Sequence, residues 1–179
     1  MSETHASFLK KKKSIVLIGL MGSGKTTVGK KLSYRLNIPF IDSDDEVAKA
    51  YGYTIPEIFK IYGEEAFRRS ECETIIRLLN EKLAIIATGG GAFLNIETRK
   101  EIGRLGISIW LRATLDILAE RTANQTGRPL LNDGKPKQKL QFLIAQRYPI
   151  YAKADIVIDT GSESALETMN LVYNALNMK

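Results

Sequence analysis

At 179 residues, 44% hydrophobic and 26% charged, the chain has the make-up of one globular unit with a sizeable core and is short for two. A single cysteine, Cys72, rules out a disulfide framework and a thiolate-rich metal site, and a lone His5 in a polar leader argues against a histidine metal cluster. No apolar run nears the roughly 18 residues of a spanning helix, while a formal charge of +6 and a pI near 9.4 leave nucleic acid, an anionic membrane or small anionic ligands open as partners.

MSETHASFLKKKK carries the basic run Lys10 to Lys13 and lacks the apolar segment of a signal peptide, which predicts a flexible tail over 1–13 and a cytoplasmic protein. SIVLIG (Ser14 to Gly19) reads as a short strand buried on both faces, rich in β-branched residues and ended by glycine. A helix follows over Lys25 to Leu36 with Val28, Leu32 and Leu36 inward, then a second strand in PFID. The next helix has Val47, Ala48 and Tyr51 on one face and stops at Gly52; Thr54 with Glu57 has the pattern of a capping box for another short helix. Gly63 interrupts before a longer helix, Glu64 to Leu79, with Phe67, Ile75, Leu78 and Leu79 available to the core.

The strands LAIIAT and ISIWL (Ile107 to Leu111) bracket a helix near Asn95 to Leu105, and another helix runs from Thr114 to Ala123. The polar stretch from Asn124 to Gln138 exceeds an ordinary connection, so it is either disordered or a functional lid. A helix to about Arg147, a fifth strand in ADIVIDT and a last helix over Ser164 to Leu176 complete the chain. The apolar face of that last helix is expected to hold Leu166, Met169, Val172, Tyr173 and Leu176. Five short apolar strands separated by helices predict an α/β fold: three layers, with a parallel sheet covered on both faces.

GLMGSGKT (Gly19 to Thr26) matches G-x-x-x-x-G-K-[ST], with the strand before it and the helix after it that the pattern requires. Its glycines let backbone N–H groups converge on phosphate oxygens, and the helix N-terminus adds free donors and the positive end of its dipole. Lys25 can reach the β and γ phosphates, and Thr26 offers a hydroxyl to magnesium. Nucleoside triphosphate binding is therefore the primary expectation. Magnesium needs a carboxylate nearby, and FIDSDDEV supplies Asp42 and Asp44 at the carboxyl end of the second strand, where ligands of parallel sheets collect. Period-two spacing would let both point the same way if the strand continues, one serving magnesium and one an acceptor hydroxyl. The competing reading is helix capping, which suits Asp45 and Glu46 well.

Arg68, in FRRSE, is either a solvated helix arginine or an oxyanion ligand. Arg128, held before proline in GRPLL, is better suited to bidentate contact with carboxylate or phosphate oxygens. ATGGGAF (Ala87 to Phe93) is either a linker or bare backbone left beside a ligand.

The P-loop start, DSD after the second strand, GEEAFRRSE, ATGGG, RPLL and QRYPIY occur in the order found in the shikimate kinase family, which the chain resembles from about Ser14 to Leu176. The resemblance implies a single P-loop kinase domain over 1–179, of the nucleoside monophosphate kinase type, with strand order 2-3-1-4-5. It also implies a substrate-binding region over about 44–71, a lid over about 122–138, a monomer, and no nucleic-acid or membrane partner. The implied reaction moves the γ-phosphoryl of ATP to the 3-hydroxyl of shikimate, a carboxylated triol, in the aromatic amino acid pathway. Carried onto this sequence, Gly22, Ser23, Gly24, Lys25, Thr26 and Thr27 hold the nucleotide, and Thr26 and Asp42 hold Mg²⁺. Asp44 binds the shikimate hydroxyls and draws the proton, and Arg68 and Arg147 hold the carboxylate with Glu71 as a partner for Arg68. Arg121 lies against adenine and phosphate, and Arg128 closes over both substrates. Asp159 to Ser162 fall where the family wraps adenine.

With that architecture Gly89, Gly90 and Gly91 leave a central strand at the P-loop end of the sheet. They are expected to form a side-chain-free wall against shikimate, where any Cβ would occupy ring space. Three alternatives stand beside this reading: a kinase of the same architecture for gluconate or a nucleoside monophosphate, a nucleic-acid-binding ATPase, and a non-enzymatic partner protein. The intact P-loop argues against the last, and the lack of an aromatic–basic stacking pattern argues against the second.

Overall fold

The computed structural model describes residues 13–123 and 136–178. Most of the N-terminal tail and of the expected lid, Arg128 included, lies outside the described residues. Strands β1 (Ser14–Ile18), β2 (Phe40–Asp42), β3 (Ile85–Ala87), β4 (Gly106–Ala113) and β5 (Ile156–Thr160) form one parallel sheet in the order β2-β3-β1-β4-β5, as the resemblance implied. All five residues of β1 are buried, and their alternation divides the core. Ile15 and Leu17 join Val28 and Leu32 of α1 (Lys25–Leu36) and Met169, Val172 and Leu176 of α7 (Ala165–Asn177). Val16 and Ile18 face the other way, toward α3 (Ile55–Glu81), α4 (Ile96–Leu105) and α6 (Pro136–Tyr151). A strand with helices on both sides has no solvent face, which is why its sequence is a continuous apolar run.

The remaining helices are α2 (Ser43–Tyr51) and α5 (Leu115–Thr122). Between β2 and β3 the chain forms α2 and the long α3, which pack together over a small separate core of Val47, Ile58 and Phe67. The expected capping box is present, with the Thr54 N–H donating to Glu57 Oε2 at 2.8 Å. Gly63 interrupts α3 at φ 82, a left-handed conformation that favours glycine, so the two helical stretches change direction there.

Three expectations need correction. Helix α6 does not stop near Arg147 but continues through Pro149 to Tyr151. Tyr148 and Tyr151 pack their rings against Trp110, with centroids 4.8 and 5.8 Å away, and that burial outweighs the local cost of proline. Leu166 is exposed; the buried stripe of α7 passes through Thr168, whose hydroxyl donates to the Ser164 carbonyl at 3.2 Å, then Met169, Val172 and Leu176. The strand also ends at Asp42, so Asp44 sits in the first turn of α2 and does not continue a period-two alternation. Among the described residues no helix is long and apolar enough to cross a membrane.

Helix α1 lies close on the sheet because Gly29 lacks a side chain: a Cβ there would come within 2.5 Å of the Phe40 ring and 3.0 Å of Leu17 Cδ1. Gly29→Ala is expected to overpack this contact and destabilise the fold by about 1–3 kcal/mol, read as a lower midpoint in urea denaturation.

Candidate active site

The P-loop leaves β1 through Gly19, turns with positive φ at Gly22 and Gly24, and enters α1 at Lys25. Gly24 is the N-cap and supplies no side-chain bond, so the first amides of α1 stay available to an anion. Lys25 Nζ donates to the carbonyls of Gly19 and Leu20 at 2.8 and 2.9 Å, which holds the ammonium across the loop. Arg121, from α5, closes the far side of the loop through the carbonyls of Gly22 (3.4 Å) and Gly161 and the Thr160 hydroxyl (3.5 Å). It thereby ties the loop to the segment after β5 that was expected near adenine.

Beside the loop the Thr26 hydroxyl donates to Asp42 Oδ2 at 3.1 Å, and the other Asp42 oxygen accepts from the Asp44 amide, also at 3.1 Å. Asp42 is thus both a helix cap and a neighbour of the P-loop hydroxyl, so the two readings of its carboxylate are compatible. An oxygen-only pair of one carboxylate and one hydroxyl suits Mg²⁺, which keeps several of its waters. Among the described residues there is no group of three or more His, Cys, Asp or Glu placed to hold a metal.

The other side of the cleft carries a partly buried cluster of charge. Arg68 Nη1 donates to Glu71 Oε2 at 2.8 Å, and its other nitrogens reach Glu64 Oε1 at 3.2 and 3.3 Å. Asp44 Oδ1, Glu71 Oε1 and Arg147 Nε are all buried without a hydrogen-bond partner among the described residues. Burial lifts the Asp44 carboxyl to about 6, reinforced by Glu71 and Asp42 and opposed by Lys25 and Arg68. Burial also raises Glu71, against the pull of Arg68.

Gly89, Gly90 and Gly91 border this cluster, and the space they leave is filled by charged groups of the site itself. A Cβ on Gly89 would lie 2.4 Å from Glu71 Oε1 and 2.6 Å from Asp44 Oδ1; one on Gly91 would lie 2.3 Å from Arg68 Nη1. One on Gly90 would approach Arg147 Nη1 to 3.1 Å. A Cβ at Gly89 or Gly91 would therefore displace charged side chains of the cleft before anything else.

Residues 22–27, Asp42, Asp44, Arg68, Gly89, Gly90, Gly91, Arg121 and Arg147 all line a single cleft of about 1000 Å³. Of the expected site residues only Arg128 lies outside the described residues. Sequence reasoning missed the apolar wall of this cleft: Ile55, Pro56 and Phe59 line it, and Phe67, read as core alone, lines it as well. The Arg68 guanidinium sits 5.1 Å from the Phe67 ring and 5.9 Å from that of Phe59. The available signal was two phenylalanines, Phe59 and Phe67, preceding Arg68, but helical periodicity does not separate a pocket wall from a core.

The family model for shikimate kinase matches residues 21–177. The chain is 47% identical over 174 residues to a shikimate kinase of Bartonella quintana, covering 93% of this chain and 83% of that protein. It is 43% identical over 164 residues to one of Mesorhizobium japonicum, covering 92% and 81%. Among solved structures it is similar to a shikimate kinase from Acinetobacter baumannii in complex with shikimate, with a TM-score of 0.89, 35% identity and coverage of 94% and 95%. A gluconokinase from Sinorhizobium meliloti shares the fold at a TM-score of 0.61 and 19% identity, covering 93% of each chain.

The raised Asp44 carboxyl has a consequence for stability. Between its ordinary value of 3.8 and about 6 the folded chain holds a proton that the unfolded chain has lost, so this group's contribution to stability falls as pH rises through that window. Asp44→Asn, neutral throughout, is expected to gain stability relative to the parent as pH rises from about 4 to about 6 and to hold a constant difference above it. Urea denaturation of both proteins across that range, without added ligand, checks this; a difference independent of pH would contradict it.

Proposed function

The chain belongs to the shikimate kinase family, and from that membership we propose that its cleft transfers the γ-phosphoryl of ATP to the 3-hydroxyl of shikimate, giving shikimate 3-phosphate and ADP. The observation that carries this reading is the arrangement within one cleft. A P-loop lysine shares the cleft with a half-buried carboxylate bearing a buried, unpaired oxygen, Asp44, and with two partly or fully buried arginines suited to a carboxylate, Arg68 and Arg147. A nucleoside monophosphate or gluconate would call for other acceptor contacts, and the likeness to the gluconokinase at 19% identity speaks for the fold alone.

In this reading the amides of residues 22–27 hold the triphosphate, and Lys25 neutralises the moving phosphoryl group. Arg121 flanks adenine and phosphate. Arg68 and Arg147 clamp the shikimate carboxylate, with Glu71 holding the Arg68 fork in one orientation. Asp44 Oδ1 accepts a hydrogen bond from the acceptor hydroxyl and takes its proton as the new O–P bond forms and the bond to the ADP oxygen breaks. Gly89, Gly90 and Gly91 give the ring and these side chains room. Arg128, with a lid over about 122–138, adds positive charge and excludes water, the wrong acceptor. Thr26 and Asp42 would hold Mg²⁺, which supplies charge neutralisation at the phosphates.

The net positive charge is then used on small anions, since Lys25, Arg68, Arg121 and Arg147 all line the cleft. A cytoplasmic monomer without nucleic-acid or membrane partners is the reading that family membership favours.

In an ATP-coupled assay shikimate is the expected acceptor over quinate, gluconate and AMP. Asp44→Asn is expected to lose about 10²- to 10⁴-fold in kcat while its nucleotide Kd, measured by calorimetry, stays within about twofold of the parent. Arg68→Ala and Arg147→Ala are each expected to raise the shikimate KM by about tenfold or more, the loss of a charge-assisted contact, with the ATP KM little changed. An unchanged shikimate KM in both would contradict the carboxylate clamp.

A further inference from the structure

The reading above leaves unused one buried polar side chain that touches the acceptor site from behind. Tyr151, the last residue of α6, is 1% exposed. Its hydroxyl donates to the carbonyl of Gly90. The Arg147 guanidinium, one turn earlier on the same helix, acts on that phenol by its charge. The two groups meet over the same glycine, since a Cβ on Gly90 would be 3.1 Å from Arg147 Nη1 and 3.8 Å from the Tyr151 oxygen.

Resting on the shikimate kinase reading, we propose that Tyr151 is a positioning residue for the acceptor: it orients both the Gly90–Gly91 peptide and the Arg147 guanidinium against the substrate. A peptide unit is planar and trans, so a carbonyl drawn toward Tyr151 turns the N–H of the same unit, that of Gly91, in the opposite direction. Without a side chain to restrain it, a run of three glycines has little of its own to select that orientation. One buried hydrogen bond supplies the selection. The immobile phenol, set beside the same glycine, also gives the Arg147 guanidinium a fixed neighbour, so less freedom is lost when it meets a carboxylate. The phenol is itself immobilised: its ring packs edge-on against Trp110 at 5.8 Å, and burial holds the hydroxyl protonated, with its pKa pushed up to about 12. It is therefore a donor at every pH at which the protein works.

Tyr148 provides an internal comparison. It lies on the same helix, packs against the same tryptophan, and donates its hydroxyl to the carbonyl of Ala113 at the end of β4, away from the glycine run. A role for Tyr151 that was only structural would be matched by Tyr148.

The test is steady-state kinetics on three full-length proteins, the parent, Tyr151→Phe and Tyr148→Phe, with thermal denaturation run alongside. Y151F is expected to raise the shikimate KM about 5- to 10-fold, the effect of one lost buried hydrogen bond, with the ATP KM and kcat within about twofold of the parent. Y148F is expected to leave the shikimate KM within about twofold. Equal effects of the two substitutions, equal changes in both KM values for Y151F, or an unmoved shikimate KM overturns the proposal. A second measurement remains readable whether or not Y151F folds. With p-aminophenylalanine at position 151, an uncharged N–H donor is restored to Gly90, and a shikimate KM near that of the parent is expected; a clearly raised one overturns the proposal. If the parent turns over ATP with none of the acceptors, the functional reading fails and the positioning role with it. Turnover of shikimate by the parent with no selective effect at position 151 removes only the role of Tyr151.

Discussion

A carboxylate taken out of water costs several kcal/mol unless a partner compensates it, and Glu71 is 2% exposed. Its compensation is Arg68, three residues earlier on α3, at 2.8 Å. Much of the acceptor end follows from accommodating that pair. The guanidinium and the free Glu71 oxygen occupy the space beside Gly91 and Gly89, so neither position tolerates a Cβ without displacement. Asp44, pressed against the same pair, is held partly protonated near neutrality by burial and by its acidic neighbours.

The sheet order brings the two halves of the chemistry together. With β3 between β2 and β1, Asp42 pairs in register with Ala87, and Ala87 with Leu17, so three chain exits lie side by side at one edge. One exit becomes the P-loop, one the aspartate pair and one the glycine run. The crossover from β2 to β3 is far longer than a parallel connection requires, and its excess carries Arg68 and Glu71 together with the apolar wall. Helix α6 completes the enclosure from the opposite side, delivering Arg147 and Tyr151 to the same glycines.

Legibility in the sequence varied with the range of the interactions involved. The P-loop was readable because its chemistry is local: strand, glycines, lysine and hydroxyl follow one another within 13 residues, 14–26. The capping box at Thr54 and the break at Gly63 were readable for the same reason. Asp42 was readable as an acidic residue in the right place, but its double engagement, with the Thr26 hydroxyl and the Asp44 amide, depends on where the strand ends. The end of α6 was misjudged because Pro149 argues locally for a stop, while the contact that keeps the helix going is with Trp110, distant in sequence. Leu166 was misassigned because it fits an apolar list, yet the buried stripe passes through Thr168, whose hydroxyl is satisfied within its own helix.

By itself, then, the sequence determined the class of fold, the nucleotide loop and the family, since those reside in hydrophobic alternation, glycine spacing and ordered short motifs. It also named the charged side chains Lys25, Asp42, Asp44, Arg68, Glu71, Arg121 and Arg147 that line the cleft, though not its apolar wall. Only the tertiary structure decided what those side chains do to one another. That Glu71 and Asp44 each keep a buried oxygen unpaired, that the glycines make room for arginine and carboxylate, and that a tyrosine at the end of α6 fastens the Gly90 peptide are all consequences of contacts between residues far apart in the chain. Burial and electrostatic coupling are properties of that assembled volume, and one-dimensional spacing does not encode them.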